Sequence, residues 1–280
     1  MHISLDSALG RQRRLNQIGE TINSIATPAA AYSLRSLTGG DPEVVNVRKT
    51  VGGVHTEEKF TVSQINSGAL VAFVGSGNDG FVETWYDKSG NGNHATQTDR
   101  DAQPKIVSSG SLLTQGGKAC INFDGTDDFL NKATYTQGAL SQPNTAFAVA
   151  KLDAYTDSNR KIFDGDVNSA RNMLQLNTAG NGQFAHFAGA VAATGEDADA
   201  DRHLFTCLFN GTASRLRIDT TQKSTANAGT NTMNGIVIGA NHDTAQNFWD
   251  GDIQEIIICN SNQTSNFTAL EGNINSYYSI

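Results

Sequence analysis

Two kinds of side chain in this sequence come at spacings that could do chemistry. In Ile121-Asn122-Phe123-Asp124-Gly125-Thr126-Asp127-Asp128, the three carboxylates of Asp124, Asp127 and Asp128 crowd a glycine turn. Oxygen ligands so placed suit a hard cation such as Ca²⁺, although the spacing is not that of an EF-hand loop. The alternative is that they cap backbone N–H groups of their own turn. The second kind lies in Trp85-Tyr86-Asp87-Lys88-Ser89-Gly90-Asn91-Gly92-Asn93-His94. An aromatic face stacks on the apolar face of a pyranose while Asp and Asn take its hydroxyls, so Trp85, Tyr86, Asp87 and Asn91 are carbohydrate-binding candidates. Trp249, beside Asn247 and Asp250, joins them as the tryptophan expected to be most exposed. Against this stands a structural reading: a tight β-corner in which Asp87 and Asn91 bond nearby backbone, with the tryptophans in the core.

Other chemistries find no pattern. His94, His186, His203 and His242 fall at no triad spacing and have no serine or cysteine nucleophile context. Cys120, Cys207 and Cys259 each sit in an apolar strand-like run, match no zinc spacing and are odd in number, which reads as buried thiols. The glycines of Gly75–Gly80 do not form a phosphate-binding loop. A net charge of −8 argues against a nucleic-acid partner, whose phosphates need a basic surface. No apolar stretch approaches 18 residues and no charged leader precedes one, so neither a membrane partner nor a signal peptide is expected.

The elements that must position these groups are strands. Twenty-eight glycines against four prolines, with many Asn, Thr and Ser, indicate short strands joined by turns, an all-β composition. Val44–Lys49, Phe81–Tyr86 and Ala119–Phe123 read as strands. Further runs follow at Thr145–Leu152, Lys161–Asp164, Met173–Leu176, Gln183–Ala188, His203–Phe209, Ser214–Asp219, Gly235–Gly239 and Gly251–Cys259. This regular spacing predicts a two-sheet sandwich or jelly roll. Ser63–Val74 reads as a short helix with Ser63 as its cap, and Asn266–Tyr278 as a small amphipathic helix. At the start, Leu15, Ile18, Ile22 and Ile25 form a helical stripe between polar residues. One short helix cannot bury that stripe alone, so residues 1–28 read either as packed on their own domain or as a docking and oligomerisation segment that joins sister chains or a larger assembly. No composition break divides residues 29–280.

With these residues laid out, the chain resembles the concanavalin A-like lectin/glucanase superfamily in its laminin-G-like form. The likeness rests on Trp85–Ala95, on Ile121–Leu130, and on Gly251-Asp252-Ile253-Gln254-Glu255-Ile256-Ile257-Ile258 with the helix that follows. It implies a jelly-roll sandwich over residues 29–280 and says little about activity, since one scaffold hosts lectins, hydrolases and structural modules. The part from Tyr32 to the Trp85 corner also resembles the catalytic domain of α-L-arabinofuranosidase B. That resemblance places Asp243, in Gly239-Ala240-Asn241-His242-Asp243, where the family carries its acid. Retaining glycosidases need a second carboxylate as nucleophile. Near the strand expected to carry it stand Gln175 and Asn177, with Asp164, Asp166 and Glu196 as possible substitutes.

A docking helix followed by a laminin-G-like sandwich is, in architecture, similar to structural proteins of tailed bacteriophages. The sequence is therefore expected to be a non-enzymatic virion component, a decoration, tail or fibre appendage, located in the virion. Other virion proteins or sister chains would be its partners, and host glycans its possible ligands. A glycoside hydrolase of arabinofuranosidase type is the alternative, and a secreted lectin-like adhesion module the second. No cofactor is expected beyond possible Ca²⁺.

Overall fold

The computed structural model describes residues 21–153, 159–177 and 182–280. Leu15 and Ile18, and most of the expected leading helix, lie outside the described residues. The chain opens on one helical turn, α1 (Ile22–Ile25), and enters β1 (Pro28–Ser33), β2 (Glu43–Val51) and β3 (Val54–Thr61). Two short helices follow, α2 (Val62–Asn66) and α3 (Ala69–Val74). They replace the single helix expected here because Gly68, at φ +83°, breaks the run. The cap is Thr61 rather than Ser63: its hydroxyl accepts from the Gln64 N–H while the Gln64 side chain accepts from the Thr61 N–H, a capping box.

Short strands carry the chain onward through β4 (Gly80–Trp85), β5 (Ala95–Thr96), β6 (Lys105–Ser108), β7 (Ser111–Leu112), β8 (Thr114–Gln115), β9 (Lys118–Ala119), β10 (Ile121–Asp124) and β11 (Leu130–Lys132). Longer ones follow: β12 (Asn144–Leu152), β13 (Arg160–Asp164), β14 (Met173–Asn177), β15 (Gln183–Phe187), β16 (Val191–Ala193) and β17 (Arg202–Phe209). The series closes with β18 (Ser214–Ile218), β19 (Thr221–Ala226), β20 (Ile236–Ile238), β21 (Asp250–Cys259) and helix α4 (Phe267–Tyr278). None of the helices among the described residues is long and apolar enough to cross a membrane.

All the pairings are antiparallel. One run of neighbours goes β3–β2–β4–β5–β11–β20–β13–β14–β15–β16. A second goes β6–β10–β21–β12–β17–β18–β19, and β4 joins it to the first through β6. β1 and β10 lie end to end along one edge of β21, pairing with Pro28–Ser33 against Glu255–Cys259 and Ile121–Asp124 against Asp250–Ile253. The result is the all-β sandwich expected from the composition.

Strand periodicity explains how the sandwich is filled. Ile253, Ile256 and Ile258 of β21, Ala146, Ala148 and Ala150 of β12, and Phe205, Cys207 and Phe209 of β17 face the main core. The residues between them, Ile257, Cys259, Phe147, Val149, Leu204 and Leu208, face the other way into a second apolar layer. Both faces of these strands are apolar because both are covered. The cover on the outer face is α4, through Phe267, Leu270, Ile274 and Tyr278, together with α1. Ile22 is completely buried there and Ile25 partly so. For Ile22 the structure matches the reading in which the segment packs on its own domain: its apolar surface is spent within the chain's own sandwich. Removing an isoleucine side chain from water contributes roughly 1.5–3 kcal/mol, enough to hold one helical turn against the sheet.

Beneath α4 a buried ion pair ties the first strand to the last. Glu255 accepts from Arg35 Nε at 2.7 Å and Nη2 at 2.9 Å, from Ser33 Oγ at 2.7 Å and from the Tyr278 hydroxyl at 3.2 Å. With its lone pairs so occupied, the carboxylate tolerates enclosure that would otherwise be costly.

Candidate functional site

A polar cluster forms where β13 ends and the loops after β13 and β20 meet. Asp164, the last residue of β13, is fully enclosed and held by Arg171: Nη2 reaches Oδ2 at 2.6 Å and Nε lies 3.1 and 3.2 Å from the two oxygens. The same carboxylate accepts from the N–H groups of Gly165 at 2.8 Å and His242 at 3.0 Å. Arg171 Nη2 also donates to Asn241 Oδ1 at 2.7 Å, and Asn241 Nδ2 in turn donates to Asp243 Oδ1 at 3.2 Å. A chain of side-chain hydrogen bonds thus runs from β13 to Asp243. Asn131 of β11 enters from the side, donating to Asp166 at 2.7 Å.

Two glycines make this convergence possible. Gly165 passes so close to the Ala170 carbonyl that a Cβ there would sit 2.6 Å from its oxygen. Gly239, at φ +87°, ends β20 against the Phe123 ring, where a Cβ would lie 2.3 Å away. Its carbonyl accepts from the Trp249 N–H, so the segment between them closes as a loop that carries Asn241, His242 and Asp243 to one rim.

Electrostatics sets the Asp166 and Asp243 carboxylates apart. Asp166 is half-buried, and burial, with a smaller push from Asp164, raises its pKa against the opposing pull of His242. For Asp243 the modest burial would also raise the pKa, but hydrogen bonds from the Ala245 N–H, Gln246 and Asn241, and the His242 charge, outweigh it and hold the group below the ordinary carboxylate value. Of two acids that both feel His242, one therefore keeps its proton longer and the other loses it earlier, the pattern of an acid and base pair. His242 Nδ1 is enclosed and finds no hydrogen-bond partner among the described residues. Behind them Lys161 is buried against Gln175, to which Nζ donates. Burial brings the Lys161 ammonium down to about 8, with Asp164 pulling the other way.

The residues nominated from sequence fall in several places. Gln175 is buried and engaged by Lys161, and Asn177 lies at the end of β14, so the strand expected to carry a nucleophile offers none. Asp164 is too tightly bound by Arg171 to attack a sugar. Glu196 is paired with Lys223 at 2.7 Å and lines a separate 220 Å³ cavity with His203. Asp166 is the substitute that, like Asp243, lies within electrostatic reach of His242. Arg171, Lys161 and Asn241, which order this cluster, were not singled out by any spacing; their partners come from different strands and loops.

The tryptophans require correction. Trp85 and Trp249 are both completely buried, so neither offers a face to a sugar. Tyr86 keeps partial exposure, edge-on to His94 with ring centroids 5.0 Å apart, and the Lys59 and Lys88 ammonium groups stand over it. Asp87 accepts from the N–H groups of Ala31, Ser89 and Asn93 and from the Ser89 hydroxyl, while Asn91 Nδ2 donates to the Pro28 and Ala29 carbonyls. The corner clamps β1 to the end of β4.

Asp124, Asp127 and Asp128 do come together, their nearest oxygens all within 4.8 Å of one another. Asp124 Oδ1 accepts from the Thr126 and Asp127 N–H groups, and Asp128 Oδ2 from the Asp124 N–H at 3.0 Å. Asp128 is buried, and this enclosure, with the neighbouring Asp124 charge, pushes its pKa up to about 7. The Arg160 guanidinium borders the same turn, 3.5 Å from Asp250. These carboxylates are the residues that could hold a cation.

No family model matches the chain. No curated protein matches it by sequence. Solved structures do share the fold. One is an arabinofuranosidase complexed with arabinofuranosyl-α-1,2-xylobiose, 16% identical with a TM-score of 0.70 over 90% of this chain. Another is a GH54 α-L-arabinofuranosidase soaked with a cyclic sulfate inhibitor, 16% identical with a TM-score of 0.69 over 88% of this chain. A third is a point mutant of GH54 α-L-arabinofuranosidase soaked with 4-nitrophenyl α-L-arabinofuranoside, 15% identical with a TM-score of 0.68 over 88% of this chain. This chain spans 62–64% of the length of those three. At such identity the likeness establishes the fold. The expectation of a non-enzymatic virion component is corrected: the solved structures that share the fold are those of glycosidases.

Proposed function

We propose that the chain is a glycoside hydrolase whose reaction centre is the Asp166–His242–Asp243 rim, acting on an α-L-arabinofuranoside or a similar furanoside. The observation that carries this reading is the pairing of two carboxylates with opposite displacements around one imidazole, at the end of a sandwich shared with arabinofuranosidases. Asp166, whose carboxyl burial holds above the ordinary carboxylate value, serves as the proton donor to the leaving glycosidic oxygen. Asp243, ionised by its three hydrogen bonds, attacks the anomeric carbon or activates the water that does. This assignment reverses the acid role that the resemblance alone gives Asp243, because a carboxylate held low in pKa is a poor proton donor. Asp164 and Arg171 act as the frame: they fix the His242 backbone and, through Asn241, the Asp243 carboxylate.

Release of nitrophenol from 4-nitrophenyl α-L-arabinofuranoside tests this. Asp243→Asn and Asp166→Asn are each expected to lower kcat by at least about a hundredfold, the usual contribution of a positioned acid or base, with unfolding transitions unchanged. Because Asp166 must hold a proton, activity should peak on the acidic side and fall as pH rises through its raised pKa. Turnover that survives both substitutions, or a panel of furanosides and pyranosides with no turnover by the parent protein, would end the reading.

A further inference from the structure

A cavity of about 660 Å³ shares no residue with the rim around Asp243. Its wall is formed by β2, the tip of β3, β4 and the segment leading to β6. The group at its centre is Arg48, only 4% exposed and yet, among the described residues, without a carboxylate bonded to it. Nε donates to Gln103 Oε1 at 2.6 Å, Nη1 to Thr50 Oγ1 at 2.7 Å and Nη2 to the Arg100 carbonyl at 2.9 Å. All three acceptors are neutral. A guanidinium has five N–H donors, so one remains on each terminal nitrogen. The plane is fixed from below by the Phe81 ring, 4.6 Å from Cζ, and from the side by Gln103, whose own amide donates to the Gln97 carbonyl.

A buried cation without a bonded counter-ion is costly unless something else supplies the negative charge. Glu57, on the strand opposite, and Asp101 attract it through space, while Arg100 at the cavity mouth repels it. Burial and Arg100 together pull the Arg48 pKa down. Glu57 and Asp101 act only through space, so the two open N–H groups of Arg48 are left for a single directly bonded acceptor. Two features say which kind. Asp99 and Asp101 share the lining and would repel a dianion such as phosphate or sulfate. Thr98, with the hydrogen-bonded Thr50 and His55, adds side chains that can share hydrogen bonds with hydroxyl groups. One negative charge within a polyhydroxylated frame satisfies both, and the volume lies in the range of sites that enclose a small ligand.

We infer that this cavity is a binding site for an acidic sugar, with a hexuronate carboxylate seated on the two open N–H groups of Arg48 and its hydroxyls shared among Thr50, Thr98 and the Asp99–Asp101 turn. The inference stands apart from the hydrolase reading, since it concerns binding at a different place on the sandwich.

Calorimetric titration at low ionic strength with α-1,4-linked digalacturonate, with its carboxylate-reduced neutral counterpart and with inorganic phosphate separates the possibilities. The uronate is expected to bind at least about tenfold more tightly than either of the others, as loss of a charge-assisted bidentate contact demands. Arg48→Met should abolish the preference. Because that change lies in a buried strand, Thr98→Trp provides the second arm: Thr98 is exposed at the mouth, and the indole fills the cavity while leaving Arg48 in place. It should weaken uronate binding by at least about tenfold with an unaltered thermal transition. Equal affinity for the reduced sugar, tighter binding of phosphate, or uronate binding that Thr98→Trp leaves intact would each overturn the inference.

Discussion

Replacing Asp128 by Asn should stabilise the protein at neutral and alkaline pH. Asp128 is 6% exposed, and its carboxyl is displaced from an ordinary 3.8 to about 7 by burial and by Asp124. The sign follows from linkage. Between about pH 4 and 7 the folded state binds the Asp128 proton and the unfolded state does not, so stability falls as pH rises through this window. Above it the folded protein carries a buried charge that the unfolded chain carries at no cost. At about 1.4 kcal/mol for each pH unit, the full displacement is worth on the order of 4 kcal/mol, and relaxation at a turn bordered by solvent brings this to about 2–4 kcal/mol. Asn keeps the oxygen that accepts from the Asp124 N–H and presents an amide donor, in place of a second anion, to Asp124 and Asp127. For a chain of this size the gain is a rise in Tm of roughly 5–10 °C at pH 8, shrinking towards zero near pH 4. Thermal melts of both proteins from pH 4 to pH 8, with a chelator present so that no divalent cation competes for the carboxylates, measure it. A difference in Tm that is independent of pH, or a variant less stable than its parent at pH 8, would refute the argument.

Glu255→Gln should destabilise the sandwich by about 3–5 kcal/mol, because it leaves Arg35 charged and enclosed, and urea unfolding will show it as a lower midpoint. The His203 ring nitrogens donate to Asp219 at 2.6 Å and Asp199 at 2.8 Å, and although burial alone would lower its pKa, these partners raise it above 6.5. Its stabilising contribution is therefore complete below pH 6.5 and disappears as pH climbs through the raised value; His203→Gln should flatten that part of the stability curve. Burial pushes the Cys259 thiol up to about 12 and moves Cys120 and Cys207 in the same direction. Dithionitrobenzoate at pH 8 should therefore label none of the three until urea unfolds the chain, and rapid labelling of the native protein would contradict their burial.

The β architecture was legible because both faces of its central strands are covered. Ile256-Ile257-Ile258 and the alternation around Phe147 and Val149 declare buried strands whichever way they point. β19 escaped notice for the opposite reason: Thr221-Gln222-Lys223-Ser224 is polar and pairs along one edge only, so nothing in its composition separates it from a loop. The Ile22–Ile25 stripe was visible, but a stripe records that a face is covered and not by what; here α4 and the outer sheet cover it. Trp249 misled through its neighbours. Asn247 belongs to a loop and Asp250, the first residue of β21, meets Arg160, while the Trp249 backbone bonds to Gly239 and its indole is buried. At the candidate site, Asp243 was reachable from sequence through a family likeness. Arg171 and Lys161 were not, since an ion pair across seven residues and an amide contact between strands leave no periodic trace. Arg48 was readable only as a strand residue; that its acceptors are all neutral is a property of three-dimensional packing.

The placement of β21 has a consequence for how the protein comes to be made. The last strand described is wedged between β12 on one side and β1 and β10 on the other, so three segments synthesised earlier wait for it. Until Ile253–Cys259 leaves the ribosome, the apolar flanks of those segments have no neighbour and the Arg35 guanidinium has no counter-charge. Such distant pairing makes for slow acquisition of structure and a window open to self-association. Expression at reduced temperature should consequently recover more soluble product than expression at full growth rate, and any truncation that removes residues after 250 should yield aggregate.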